Sequence, residues 1–261
     1  MPDQGGSRQN VTFPGAGGTD AAPGGNGGIG SGGIGAGRGT GAGGARQAHG
    51  YLALPPQGAG PGLVVIQEWW GLTSHIATLT DRFAAEGFVA LAPDLYGGAT
   101  THDRAEAARM KRDLPAERAA RDLRGAVDLL LGHPAVVGDA IGVAGFCMGG
   151  GLALVLAAQE GDRVAAVVPF YGLPPDPEYD FRGLTAHVLG HYGELDHSIP
   201  VTAVDEAAIR IGEATDRRPE IHFYPAGHAF MNDENPGGHY DALQARIAWR
   251  RTLSFLWGHL G

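Results

Sequence analysis

From residue 62 onward, short continuous apolar runs alternate with longer amphipathic ones. That alternation restricts the chain to few architectures. "GLVVIQE" (residues 62–68) is β-branched, unbroken and bounded by glycine, the pattern of a strand buried on both faces. "HIATLTDRFAAEGF" follows, with Ile76, Leu79, Phe83 and Ala84 at helical spacing, and "FVALAP" is a second strand stopped by Pro93. Two helical stretches, about residues 102–113 and 116–131, are separated by Pro115. "AIGVAGF", "RVAAVVPFYG", "TAHVLGHYG" and "EIHFYPA" read as further strands. "GLALVLAAQE" and "VTAVDEAAIRIGEA" lie between them as helices, and a last amphipathic helix runs through residues 246–257. This order predicts an α/β fold, a mostly parallel central sheet with helices on both faces. In such sheets functional side chains gather at the C-terminal ends of the strands.

Before residue 49 the composition is different. "GGTDAAPGGNGGIGSGGIGAGRGTGAGGARQ" has almost nothing large to bury. It cannot offset roughly 1–2 kcal/mol of backbone entropy per ordered residue, so residues 1–48 are expected to be a disordered Gly-rich tail and 49–261 a single domain. The G-x-G-x-x-G match at Gly30, Gly32 and Gly35 is a chance product of this tract, because no strand precedes it. A formal charge of −9 argues against nucleic acid as a partner. No apolar run approaches the roughly 20 residues of a membrane span. One cysteine cannot form an internal disulfide, so the expected location is cytoplasmic.

That cysteine, Cys147, falls between a strand and a helix within "GFCMGGG". Gly145-Phe146-Cys147-Met148-Gly149 is G-x-C-x-G, the thiol form of the nucleophile elbow, whose glycines let a strained turn pack closely and lift the side chain from the sheet. A free thiol, with pKa about 8.5, is only a few per cent ionised at neutral pH. The N-terminal end of the following helix favours the thiolate and a developing oxyanion. A thiol nucleophile needs a base, and the base an orienting acid. In the chain order nucleophile, acid, histidine, Asp196 of "GELDHSIP" and His228 of "YPAGHAF" both sit just past strands. Glu194 and His197 are the neighbours that compete with Asp196. His187 and His191, near His197, are four apart; on a strand that is about 13 Å, too far to share an ion, so no metal site is expected.

"VVIQEWWGL", "APDLYGG", "GFCMGGG", "GELDHSIP" and "YPAGHAF", in this order, resemble the dienelactone hydrolase family of α/β-hydrolases, from about residue 63 to the C-terminus. The resemblance implies the α/β-hydrolase fold and a cofactor-free hydrolase of a small ester or lactone. Its triad is Cys147, Asp196 and His228, with Glu68 helping to deprotonate the thiol. It also implies an oxyanion hole from the backbone N–H groups of Trp69 and Met148, each such donor being worth on the order of 3 kcal/mol. On physical grounds Glu68 ends a buried strand, where an ionised carboxylate is costly without a partner.

The sequence departs from the family where two arginines are expected to grip a substrate carboxylate. Gly98 stands at one position and Asn232 at the other, and Ala229 replaces a serine. Arg104 or Arg109 would compensate only if the fold carried them back over the pocket, which is not expected. Of Trp69 and Trp70, adjacent at a strand end, at most one is expected to line the pocket, Trp70 packing instead under the next helix. A pocket with an aromatic wall and no arginine favours a neutral ester. The alternatives are a general carboxylesterase or thioesterase, and a non-catalytic protein whose thiol senses oxidants.

Overall fold

A computed structural model describes residues 8–15, 47–234 and 239–261. Eight strands form one sheet: β1 (Arg8–Pro14), β2 (Gln47–Ala53), β3 (Gly62–Ile66), β4 (Val89–Pro93), β5 (Ile141–Phe146), β6 (Val164–Phe170), β7 (His187–Gly193) and β8 (Glu220–Tyr224). Their order across the sheet is β1-β2-β4-β3-β5-β6-β7-β8. Pairing is antiparallel for β1 with β2 and β2 with β4, and parallel from β4 to β8. The six α-helices among the described residues are α1 (Ser74–Ala85), α2 (Arg104–Arg112), α3 (Ala116–Leu131), α4 (Met148–Glu160), α5 (Val201–Thr215) and α6 (Ala242–Leu260).

Strand β3 shows why the sheet is sandwiched. All five of its residues are buried, and the period of two sends alternate side chains to opposite faces. Val64 and Ile66 join a core with Leu123 and Val127 of α3, Leu154 of α4 and Ile211 of α5. Leu63 and Val65 face the other way, into a core with Ile76 and Phe83 of α1 and Trp249 and Leu256 of α6. Each fully buried side chain of this size contributes about 1.5–3 kcal/mol. Two cores, one per face, make a doubly covered α/β sheet.

The two antiparallel strands correct the expectation for residues 1–48. Residues 8–14 are β1, and residues 47–48 begin β2. Val11 and Phe13 are β1's apolar anchors: Phe13 is 2 % exposed and packs into the α3-side core, with Val11 half-buried against it. Two anchors in a seven-residue strand beside a glycine tract are a faint signal, and antiparallel pairing with β2 supplies what the local pattern lacks. The remainder of the expected tail lies outside the described residues.

Parallel pairing puts the C-terminal ends of β3, β5, β6, β7 and β8 along one edge. Every loop that bears on the chemistry leaves from that edge.

Candidate active site

Cys147 immediately follows β5 and precedes α4. Its backbone has φ 53° and ψ −116°, a conformation L side chains rarely adopt. The strain is held in place from two sides: Cys147 N–H donates to the Phe170 carbonyl at 3.0 Å, and the Cys147 carbonyl accepts from Gly150 N–H at 2.9 Å. The flanking glycines permit the turn. A Cβ on Gly145 would overlap the Gly149 carbonyl, and one on Gly149 would overlap the carbonyls of Ile66 and Gln67. The sulfur is thus presented at the start of α4, where Met148 N–H, at the first helical position, has no acceptor within the helix.

His228 Nε2 lies 3.1 Å from Cys147 Sγ, and His228 Nδ1 lies 2.6 Å from Asp196 Oδ2. Asp196 is itself pinned: its Oδ1 accepts from Ser198 N–H at 2.7 Å and Ile199 N–H at 3.1 Å. Burial alone would lower the His228 pKa. Its hydrogen bonds to Asp196 and Cys147 outweigh that effect and push it up to about 10. For Asp196, burial pulls upward, but the bond to His228 and the two backbone donors hold the carboxyl below its ordinary value. The raised value favours a charged imidazole between Asp196 and Cys147. Neither competitor of Asp196 takes its place, since His228 Nδ1 is engaged by Asp196.

Glu68 lies two residues past the end of β3 and is 2 % exposed. Asn232 Nδ2 donates to its Oε2 at 2.6 Å, and Tyr171 O–H donates to its Oε1 at 3.3 Å. Burial raises the Glu68 pKa; His75, Asn232, His228 and Tyr171 oppose the shift without cancelling it. Burial and the nearby Glu68 raise Tyr171 well above its ordinary value, so the phenol stays a donor.

Cys147, Glu68, Trp69, Met148 and His228 all line one cavity of about 380 Å³. Trp69 and Trp70 both border it, against the expectation that only one would. The chain leaves β3 at Ile66 and turns, with Gly71 N–H bonded to the Glu68 carbonyl, so strand alternation does not apply to this pair. Their rings lie 4.9 Å apart. The expectation of a pocket without arginine is also corrected, because Arg104 lines the cavity, joined by Lys111. Arg109 does not; it is bound to Glu106 and Asp113 on α2. Asn232, where a second arginine was sought, is spent on Glu68, its Oδ1 accepting from Glu234 N–H at 2.9 Å.

Tyr171 escaped the sequence reading altogether. It follows β6, has φ 38°, and packs its ring edge-on to His228 at 5.4 Å. The "FYG" at a strand end was the available signal. His187 and His191 do lie on a strand, β7, and His191 is held by Tyr224 and Thr252.

A strained thiol elbow on a doubly covered parallel sheet, with a histidine and a carboxylate delivered from later strand ends, defines an α/β-hydrolase. The chain belongs to the dienelactone hydrolase family, whose sequence model matches residues 48–260. It is a hydrolase acting on esters or lactones. Among curated relatives, protein usf of Aquifex pyrophilus is 33 % identical over 216 residues, covering 80 % of this chain and 92 % of that protein. Carboxymethylenebutenolidase of Pseudomonas sp. strain P51 is 34 % identical over 218 residues, covering 79 % and 88 %. Among solved structures, a dienelactone hydrolase-like promiscuous phosphotriesterase from metagenomic libraries superposes with a TM-score of 0.77 at 24 % identity, covering 98 % of this chain and all of that one; at that identity the likeness speaks for the fold alone.

Proposed function

We propose that this chain is a thiol-dependent hydrolase of a small ester or lactone, with Cys147, His228 and Asp196 as its triad. The observation that carries this reading is the continuous line Sγ–Nε2 at 3.1 Å and Nδ1–Oδ2 at 2.6 Å, opening on a cavity. Both distances lie within the reach that proton transfer between nucleophile and base requires.

With the proton of the Cys147–His228 pair on His228 Nε2, the sulfur attacks the carbonyl carbon. The carbonyl oxygen becomes an oxyanion held by the N–H groups of Trp69 and Met148. Collapse breaks the C–O bond, the leaving alkoxide takes the proton from His228, and a thioester on Cys147 remains. Water then gives a proton to His228 and attacks the thioester. The second tetrahedral intermediate expels the sulfur, His228 returns the proton, and the acid departs. Asp196 keeps Nδ1 protonated throughout, so that Nε2 is the nitrogen that cycles. Glu68, buried in the wall of the same cavity and held by two neutral donors, assists in generating the thiolate once substrate arrives. The chemistry calls for no metal or organic cofactor.

A thioesterase or carboxylesterase would use the same steps with another leaving group. The redox-sensing alternative has no use for the ordered Asp196 and His228. Two further parts of the reading concern the cell: a small-molecule substrate and a cytoplasmic location. No helix among the described residues is long and apolar enough to cross a membrane.

The test is kcat/KM on cis-dienelactone and on 4-nitrophenyl acetate for the native protein and Cys147→Ala. Loss of at least 10³-fold on whichever substrate turns over is expected. Turnover that survives Cys147→Ala would sink the assignment.

A further inference from the structure

Helix α2 brings two cations to the mouth of the catalytic cavity. At about 100° per residue, Ala107 and Met110 set the helix's buried side. Arg104 and Lys111, seven positions apart, fall within about 20° of each other on one edge of that side, about 10 Å apart along the axis. Both line the cavity that holds Cys147 and His228. Arg109 points roughly the opposite way.

The acids of this helix are committed elsewhere. Glu106 binds Arg109 at 2.6 Å, Asp113 binds Arg109 and Arg112, and Asp103 caps the helix by accepting from Glu106 N–H at 2.8 Å. Among the described residues, Arg104 and Lys111 have no ion pair, and both are exposed. Among the described residues the one carboxylate lining the cavity, Glu68, is buried and bound by Asn232 and Tyr171. Lys111 is the chain's single lysine, in a protein of formal charge −9. An uncompensated positive rim on an acidic surface attracts a negatively charged ligand to this opening.

We propose that Arg104 and Lys111 are specificity-determining residues that hold an oxyanion, a carboxylate or phosphate, carried by the ester or lactone whose carbonyl meets Cys147. The site rests on the hydrolytic reading above, yet it lies on α2 and differs from Gly98 and Asn232, where cations were sought and are missing. Asn232 is unavailable to a substrate anion because both ends of its amide are used.

The test compares two esters that differ by one charge: mono-4-nitrophenyl adipate and its methyl-capped diester. A charge-assisted contact gives the half-ester a kcat/KM advantage on the order of ten-fold or more at low salt. The advantage falls toward one in R104Q/K111Q, and R109Q keeps it. Calorimetric binding of adipate and of inorganic phosphate to the native protein assigns the oxyanion, the tighter being the one the site fits, and the double variant weakens it. A ratio near one in the native protein, a ratio that survives R104Q/K111Q, or binding of neither ion overturns the proposal. Failure of the hydrolytic reading shows separately, as turnover of both esters that persists in Cys147→Ala.

Discussion

His228 couples the site's charge to the stability of the fold. Its pKa is raised from an ordinary 6.5 to about 10 by Asp196 and Cys147. The unfolded chain takes up this proton only below about pH 6.5. The stabilising contribution is therefore complete below that pH and is lost as pH rises toward 10. The gap in Tm between the native protein and His228→Gln is expected to be widest near pH 6 and to close toward pH 10. A gap that stays flat or widens with pH contradicts a charged His228 in the native state. Glu68 took its role from the family resemblance, while Cys147, Asp196 and His228 were readable as candidates because each stands just past an apolar run. The partners that hold them were not. Tyr171 and Asn232 reach Glu68 from 103 and 164 residues away, and no local pattern encodes such a meeting.

At the scale of elements, the turn between β5 and α4 is the most demanding junction. Gly149 lies against the end of β3, where an added Cβ would run into backbone oxygens of Ile66 and Gln67 that no rotamer change can move. Gly149→Ala is expected to cost about 1–3 kcal/mol, the range for forced overpacking. For a domain of this size that is a fall of roughly 2–12 °C in Tm, with activity lost as the elbow shifts. An unchanged Tm and full activity would show that the junction has slack. The parallel core strands were legible because burial on both faces makes them continuous apolar runs, as in β3 and β5. Strand β1 was illegible because its pairing partner β2 begins 33 residues after it ends. Helix α2 was legible as a helix, but its rotation was not. Which edge it turns toward the cavity depends on how Ala107 and Met110 pack, and that decides why Arg104 and Lys111 line the cavity and Arg109 does not.

Over the whole molecule, one sheet carries two cores and leaves one edge for chemistry. Parallel pairing from β4 through β8 brings Glu68, Cys147, Tyr171, Asp196 and His228 to that edge from five different strand ends. The rigidity of the doubly covered sheet sustains the strained Cys147 backbone, and α2 adds a positive rim above it. The central claim is that this assembly makes Cys147 a covalent nucleophile. The most direct test is mass spectrometry of protein quenched within the first turnover of 4-nitrophenyl acetate, followed by peptide mapping. The account predicts one acetyl group per chain, on the peptide carrying Cys147, absent in Cys147→Ala. Undiminished turnover with no acetyl group on that peptide would contradict it.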